Sequence, residues 1–146
     1  MDADEQRRIE HDCRNLVMAV AQHGDHLRLD EAAAQFAEDG AWQRGGKAWQ
    51  GRAAVAASYS LLPATQVTRH MSANSMITIL DPDHAEGVTY YVAYHHDPGV
   101  PDPGFPLPFD EPFSLGEWHD RFVRTPEGWR ISHRETRRLF QRRGGH

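Results

Sequence analysis

The chain has 146 residues, which corresponds to one globular domain. Hydrophobic residues make up 39% and charged residues 25%, which is typical of a folded domain and excludes a disordered segment. A net charge of −5 argues against general nucleic-acid binding, and a single cysteine excludes both an internal disulfide and a cysteine-cluster zinc site. The acidic N-terminus has no signal-peptide pattern and no apolar run is long enough to span a bilayer, so we expect a cytoplasmic protein with no membrane partner.

Two helices are predicted near the start of the chain. Apolar residues recur at helical spacing over 5–22, and Gly24 is a typical stop signal. A second helix is predicted over 30–38, with Phe36 on its inner side and Gly40 as its terminator. A turn then leads into a short strand.

A third helix and a sheet are predicted in the rest of the chain. The helix is alanine-rich, covers 51–62 and ends because Pro63 cannot continue it. Segments rich in β-branched and aromatic residues, separated by turns, then predict four strands at 68–80, 85–95, 115–125 and 129–140. Helices followed by antiparallel strands indicate an α+β fold, in which a strongly curved sheet around a long helix forms a cone with an open mouth. Such a mouth is a natural small-molecule pocket.

The segment 97–112 is rich in proline and cannot be a central strand. We expect a stiff surface loop or lid. Its buried contacts, over the cavity mouth or at a subunit interface, are expected from Phe105, Leu107, Phe109 and Phe113.

Three residues are candidates for acid–base chemistry. Alternation along the first two long strands gives each strand one shared face, formed by His70, Ser72 and Asn74 and by Thr89, Tyr91, Ala93 and His95. Asp25 follows the first helix and can project towards the pocket mouth. A carboxylate beside an imidazole fixes its tautomer and stabilises the imidazolium, which makes a competent general base. The alternative is that His70 and His95 are ordinary strand histidines and that Asp25 is a helix cap.

Other chemistry-bearing residues have structural interpretations. Cys13 lies on the apolar side of the first helix, which predicts a core thiol. The histidines lack metal-ligand spacing and no glycine-rich phosphate loop follows a strand, so we expect neither a metal nor a nucleotide cofactor. The arginines near the C-terminus, flanked by glycines, predict a solvated tail and not a nucleic-acid patch; they are Arg137, Arg138, Arg142 and Arg143.

Several short motifs together resemble the SnoaL-like branch of the NTF2-like superfamily. They are Gly-Asp-His at 24–26, the stretches 35–42 and 49–55, Thr-Arg-His at 68–70 and the stretch 127–131. The resemblance covers about 5–140. It implies a single cone-shaped domain over 1–146, with three N-terminal helices packed in the curved antiparallel sheet, and a homo-oligomer that is a dimer or a trimer.

Within that branch the sequence is most similar to the scytalone dehydratase pattern. The catalytic aspartate and the two histidines of that pattern correspond here to Asp25, His70 and His95. Its tyrosine beside the aspartate corresponds to Gly24, and its later serine and asparagine correspond roughly to Gly116 and Trp118. Residues expected to contact the substrate are Tyr91, Trp118, Trp42 and Phe105, with Tyr91 or Tyr94 as a substitute acid.

The resemblance implies a cofactor-independent lyase of the dehydratase type. Its substrate would be a small, largely apolar or cyclic hydroxylated molecule. An isomerase or polyketide cyclase uses the same proton transfer and remains an alternative. A non-catalytic small-molecule binding domain is the alternative from a different functional class.

Overall fold

The computed structural model describes residues 1–109 and 112–144, and that part of the chain forms three α-helices, one 3₁₀ helix and six β-strands. The helices are α1 (Ala3–Asp25), α2 (Leu29–Ala33), α3 (Arg52–Ser58) and the 3₁₀ helix Tyr59–Leu61. The strands are β1 (Phe36–Arg44), β2 (Lys47–Gln50), β3 (Val67–Asp81), β4 (His84–His96), β5 (Ser114–Thr125) and β6 (Gly128–Gln141). Residues 97–109 contain no helix or strand, as predicted. Residues 110 and 111 of the predicted loop, and residues 145 and 146 of the predicted domain, lie outside the described residues.

Helix α1 is the long central helix of the fold. It begins at a capping residue, since the Asp2 side chain accepts a hydrogen bond from the Glu5 backbone N–H at 2.8 Å. Its predicted apolar side is buried, as Ile9, Cys13, Leu16, Val17 and Val20. The predicted stop at Gly24 is wrong, because the helix continues to Asp25 and the backbone N–H of His26 still bonds to the Gln22 carbonyl.

The predicted second and third helices are both shorter in the structure. Helix α2 ends at Ala33, and Phe36, which was expected on its inner side, opens β1. Pairing with β6 overrides the local helical pattern, since Phe36 lies opposite Ile131 and is completely buried. Gly40 is therefore a strand residue and not a helix terminator. The third helix, expected over 51–62, becomes a 3₁₀ turn after Ser58.

The six strands form one mixed sheet in the order β2-β1-β6-β5-β4-β3. Strands β3 to β6 pair antiparallel; short turns join β3 to β4 and β5 to β6, whereas the proline-rich segment joins β4 to β5. Strand β1 runs parallel to β6, so the expectation of an antiparallel sheet is wrong at this one pairing. The physical reason is that β1 and β6 are far apart in sequence, so no hairpin fixes their relative direction.

The concave side of the sheet faces α1 and encloses the core. Helix α1 contacts both the edge strand β3 and the interior strand β6, which requires the sheet to curve around it. In β4 the predicted face is inward, with Thr89, Tyr91 and Ala93 buried. In β3 the register shifts between Ser72 and Ser75, so the predicted grouping of Asn74 with His70 is wrong and Asn74 is exposed. Within the described ranges, no helix is both long and apolar enough to cross a membrane.

Candidate active site

The open end of the cone is a cavity of about 430 Å³. This volume suits a small organic molecule and lies within the usual range for ligand pockets. Its apolar walls come from α1, β1, β4, β5 and the residue before β5, as Val20, Trp42, Tyr91, Ala93, Trp118 and Phe113. Asp25, His70 and His95 all line the same cavity.

Asp25 and His70 form two hydrogen bonds with each other. The His70 ring Nδ1 lies 2.6 Å from Asp25 Oδ1, and the His70 backbone N–H donates to Asp25 Oδ2 at 2.7 Å. Because an ionised carboxylate can only accept, the ring donates through Nδ1–H and the lone pair of the neutral imidazole is on Nε2. The Asp25 side chain is 5% exposed, whereas that of His70 is 28% exposed. The predicted contact between the two side chains is therefore present, and it leaves Nε2 as the accessible basic nitrogen.

His95 lies on the neighbouring strand in a different electrostatic setting. Its Nδ1 is 3.2 Å from the Gln66 side-chain nitrogen, which donates to it, so the neutral ring carries its proton on Nε2. The ring packs against Phe113 with centroids 3.8 Å apart. Burial lowers the pKa of His95 from the usual value for histidine, and the positive charges of Arg142 and Arg138 lower it further. His95 is therefore a neutral N–H donor at physiological pH.

Tyr59 is a cavity residue that the sequence analysis missed. A side chain at Gly24 would lie 3.2 Å from the Tyr59 hydroxyl, so this hydroxyl occupies the space that Gly24 leaves open. Burial raises the pKa of Tyr59 to about 12, and the phenol stays protonated. The sequence did contain a signal for this residue. The scytalone dehydratase pattern has a tyrosine where this chain has Gly24, so a tyrosine from elsewhere in the chain could be expected to fill that space.

An aromatic floor lies beneath the imidazole of His70. Tyr91 and Trp118 stack with ring centroids 4.5 Å apart, and the His70 ring lies 5.6 Å from that of Trp118. Arg134 supports this floor from below, with its guanidinium 4.7 Å from the Trp118 ring centre. Its charge is neutralised by Asp120, which accepts two hydrogen bonds at 2.7 and 2.9 Å. This ion pair fixes the orientation of the indole that faces the cavity.

Two further arginines line the cavity on β1 and β6. Arg44 lies between the rings of Trp42 and Trp49, at 4.5 and 4.6 Å. Burial lowers its pKa from the usual value for arginine, and the positive charge of Arg138 adds to that effect. Arg138 lies 5.6 Å from the Phe113 ring. Arg137 and Arg138 belong to β6 and not to a tail, although both side chains are exposed as expected.

The structure separates the expected substrate-contacting residues into two groups. Tyr91, Trp118 and Trp42 line the cavity. Phe105 does not, because its side chain is 73% exposed in the loop after β4; Phe109 is also exposed, and only Phe113 of the expected aromatic contacts is buried. Phe105 therefore does not contact the cavity of the single chain, and its contact with a substrate stays a prediction.

The suggested substitute acids also differ in position. Tyr91 lines the cavity, whereas Tyr94 is not among its lining residues and instead packs against Phe109 with ring centroids 5.0 Å apart. Within the described part of the chain, no three His, Cys, Asp or Glu side chains are grouped closely enough to hold a metal ion. Cys13 is buried in the core as predicted, and burial raises the pKa of its thiol to about 12.

Comparison with known proteins decides the family. The model of the SnoaL-like domain matches residues 5–135. The chain belongs to the SnoaL-like family. No curated protein sequence matches the SnoaL-like chain significantly.

Solved structures show the same fold at low sequence identity. A variant of Rv3472, a protein of unknown function from Mycobacterium tuberculosis, is similar with a TM-score of 0.81 and 21% identity, covering 99% of this chain and 80% of the other. A proposed scytalone dehydratase from Novosphingobium aromaticivorans has a TM-score of 0.81 and 19% identity, covering 97% and 91%. An NTF2-like protein from the same bacterium has a TM-score of 0.74 and 22% identity, covering 98% and 91%. These likenesses establish an NTF2-like α+β fold.

Proposed function

We propose that this protein is a cofactor-independent lyase of the dehydratase type. The observation that carries the proposal is the pair of hydrogen bonds from His70 to Asp25, which leaves the basic Nε2 of His70 in a largely apolar cavity. The name of the Novosphingobium neighbour, a proposed scytalone dehydratase, is consistent with this chemistry. The substrate class is a small, apolar or cyclic hydroxylated molecule.

In the proposed reaction, His70 Nε2 removes a proton from a carbon next to an electron-withdrawing group. The electrons of the broken C–H bond form the new double bond, and the C–O bond on the neighbouring carbon breaks. The departing hydroxide receives the proton that His70 Nε2 took from carbon and leaves as water, which returns the imidazole to its neutral form. Asp25 holds the ring in position and stabilises the imidazolium, which lowers the barrier to proton removal.

Two neutral donors serve the oxygen atoms of the substrate. His95 presents Nε2–H because Gln66 donates to its other nitrogen. Tyr59 presents a phenol O–H in the cavity, against Gly24. Neutral donors suit this role, because they hydrogen-bond a leaving oxygen or a polarised carbonyl without competing with His70 for the abstracted proton.

The proposal is tested by incubating the protein with hydroxylated polyketides, steroids and terpenoids and analysing the products by mass spectrometry. A dehydratase converts a compound to a product lighter by one water, and His70→Gln slows the conversion by about 10²–10⁴-fold. A change of structure at constant mass assigns the protein as an isomerase or cyclase. Binding without any conversion contradicts the enzyme proposal and leaves a small-molecule binding domain.

A matched control is available elsewhere in the chain. His84 and Asp81 form a similar pair, with 2.9 Å between the ring Nδ1 and the carboxylate, at the exposed turn between β3 and β4. This pair does not line the cavity. His84→Gln therefore removes an imidazole bonded to a carboxylate without changing the site, and full conversion is expected.

We also propose that the chain forms a homo-oligomer through the outer face of its sheet. Exposed apolar side chains on the strands support this, among them Met71, Met76 and Leu139. Light scattering after size-exclusion chromatography tests it, and a monomer at micromolar concentration contradicts it.

A further inference from the structure

The charges that line the cavity do not balance. The cations are Arg44, Arg134 and Arg138, whereas Asp25 is the single acid among the described lining residues. Asp25 already bonds to His70 through both carboxylate oxygens, and Arg134 is paired with Asp120. Arg44 and Arg138 therefore remain as cations without a carboxylate partner within residues 1–109 and 112–144.

These two arginines lie on neighbouring strands. In the parallel pairing of β1 with β6, Trp42 is opposite Arg134, which brings Arg44 level with Thr136, two residues before Arg138 on the same face. Each charge acts on the other, since Arg138 lowers the pKa of Arg44. Arg44 is half-buried and Arg138 is exposed, and both line the cavity. An anion between them would be attracted by both charges.

Side chains alternate between the two faces of β6, and the arginines on these two faces have different partners. The next arginine, Arg137, points to the outer face and forms an ion pair with Glu135 at 3.1 Å. Arg138 faces the cavity and Phe113, where no described carboxylate reaches it. The strand thus neutralises its outward arginine and leaves its inward arginine available to a ligand.

We infer that the natural substrate carries a carboxylate, which Arg44 and Arg138 bind while the apolar body of the molecule lies against Trp42 and Trp118. Planar guanidinium groups suit a planar carboxylate, because each offers paired N–H donors. The inference deepens the proposed lyase function by naming a class of substrate. Only its link to the reaction rests on that function: a substrate bound in this way would present its reacting carbon to His70.

The test is a calorimetric comparison of acids with their neutral amides. Benzoate, cinnamate and 2-naphthoate are each titrated into the full-length protein, followed by benzamide, cinnamamide and 2-naphthamide. We expect at least one acid to bind about tenfold more tightly than its amide, as for a hydrogen bond to a charged group. Added sodium chloride should weaken the binding of the acid and leave the binding of the amide unchanged.

Variants at adjacent residues locate the effect. Arg138→Gln should reduce the preference for the acid to about threefold or less, and Arg138→Lys should restore part of it. Arg137→Gln removes the same charge from the outer face and should leave the preference unchanged. Equal binding of every acid and amide, no binding by any of the acids, or an equal effect of the two glutamine variants overturns the inference.

The same titration separates this inference from the proposed lyase function. His70→Gln removes the proposed base but not the arginines, so its preference for the acid should persist. If the protein prefers acids yet converts no compound, the anion site is supported and the lyase proposal is contradicted. If the protein dehydrates neutral compounds and shows no preference for acids, the lyase proposal is supported and the anion site is contradicted.

Discussion

The Asp25 carboxylate bonds to the ring and to the backbone of the same residue, His70. Oδ1 accepts from Nδ1–H at 2.6 Å and Oδ2 accepts from the backbone N–H at 2.7 Å. Two bonds from one carboxylate fix both the position of β3 against the end of α1 and the orientation of the imidazole. The tautomer required for a base at Nε2 follows from this geometry.

The tautomer of His70 can be measured directly. We predict that nitrogen NMR of the neutral His70 ring shows a protonated Nδ1 and an unprotonated Nε2. Asp25→Asn should disturb this state, because its amide NH₂ would face either the ring N–H or the backbone N–H of His70. A wild-type signal for the Nε2–H tautomer would contradict the geometry.

The buried ion pair beneath the aromatic floor should control stability. The side chains of Arg134 and Asp120 are 0% and 1% exposed. Asp120→Asn leaves the guanidinium buried without a counter-charge, and we expect the free energy of unfolding to fall by about 3–5 kcal/mol. Urea denaturation measures it. The control is Glu135→Gln, which breaks the solvent-exposed pair with Arg137 and should leave stability nearly unchanged.

Gly116 is required by the ring that packs beside it. A Cβ atom at this position would overlap the backbone carbonyl of Arg137 and lie 2.8 Å from the Tyr91 hydroxyl. Gly116→Ala should therefore destabilise the fold by about 1–3 kcal/mol, as expected for overpacking. Gly104→Ala is the matched control, since a methyl group at this position would meet nothing within 4 Å and no unusual backbone angle is involved. Equal denaturation midpoints for the two variants would contradict this account.

His95 should make stability depend on pH. Its pKa is lowered in the folded state by burial and by the positive charges of Arg142 and Arg138. The unfolded chain therefore binds a proton on His95 more readily, and stability present above the unfolded pKa of about 6.5 is lost as pH falls through the lowered folded value. Thermal unfolding at pH 7.5 and 5.5 should show a smaller loss for His95→Gln than for wild type. An identical loss in both proteins would show that His95 does not contribute.

The four long strands were predictable because each depends on local sequence. Turns such as the one around Pro126 join neighbouring strands, and the residue types between them suit a sheet. Strand β1 was partly mistaken for a helix because its partner is β6, at the other end of the sequence. The residues of β1 and their neighbours in sequence contain no signal for pairing with a strand so far along the chain.

The candidate site was predictable only in part for the same reason. Asp25, His70 and His95 were found from the family resemblance together with strand alternation. The Arg134–Asp120 pair depends on the register of β5 against β6, which places these two residues opposite each other. Tyr59 reaches the site from a 3₁₀ turn, and its position beside Gly24 exists only in the folded chain.

The central claim is that His70 removes a proton from carbon with the help of Asp25. Once a substrate is identified, the most direct measurement is the single-turnover rate of wild type, His70→Gln and Asp25→Asn, with His84→Gln as the control. We predict that His70→Gln lowers the rate by about 10²–10⁴-fold, as for loss of a positioned proton-transfer group. Asp25→Asn should also slow the reaction, and His84→Gln should match wild type. Equal rates for all four proteins would contradict the claim, even if each binds the substrate equally well.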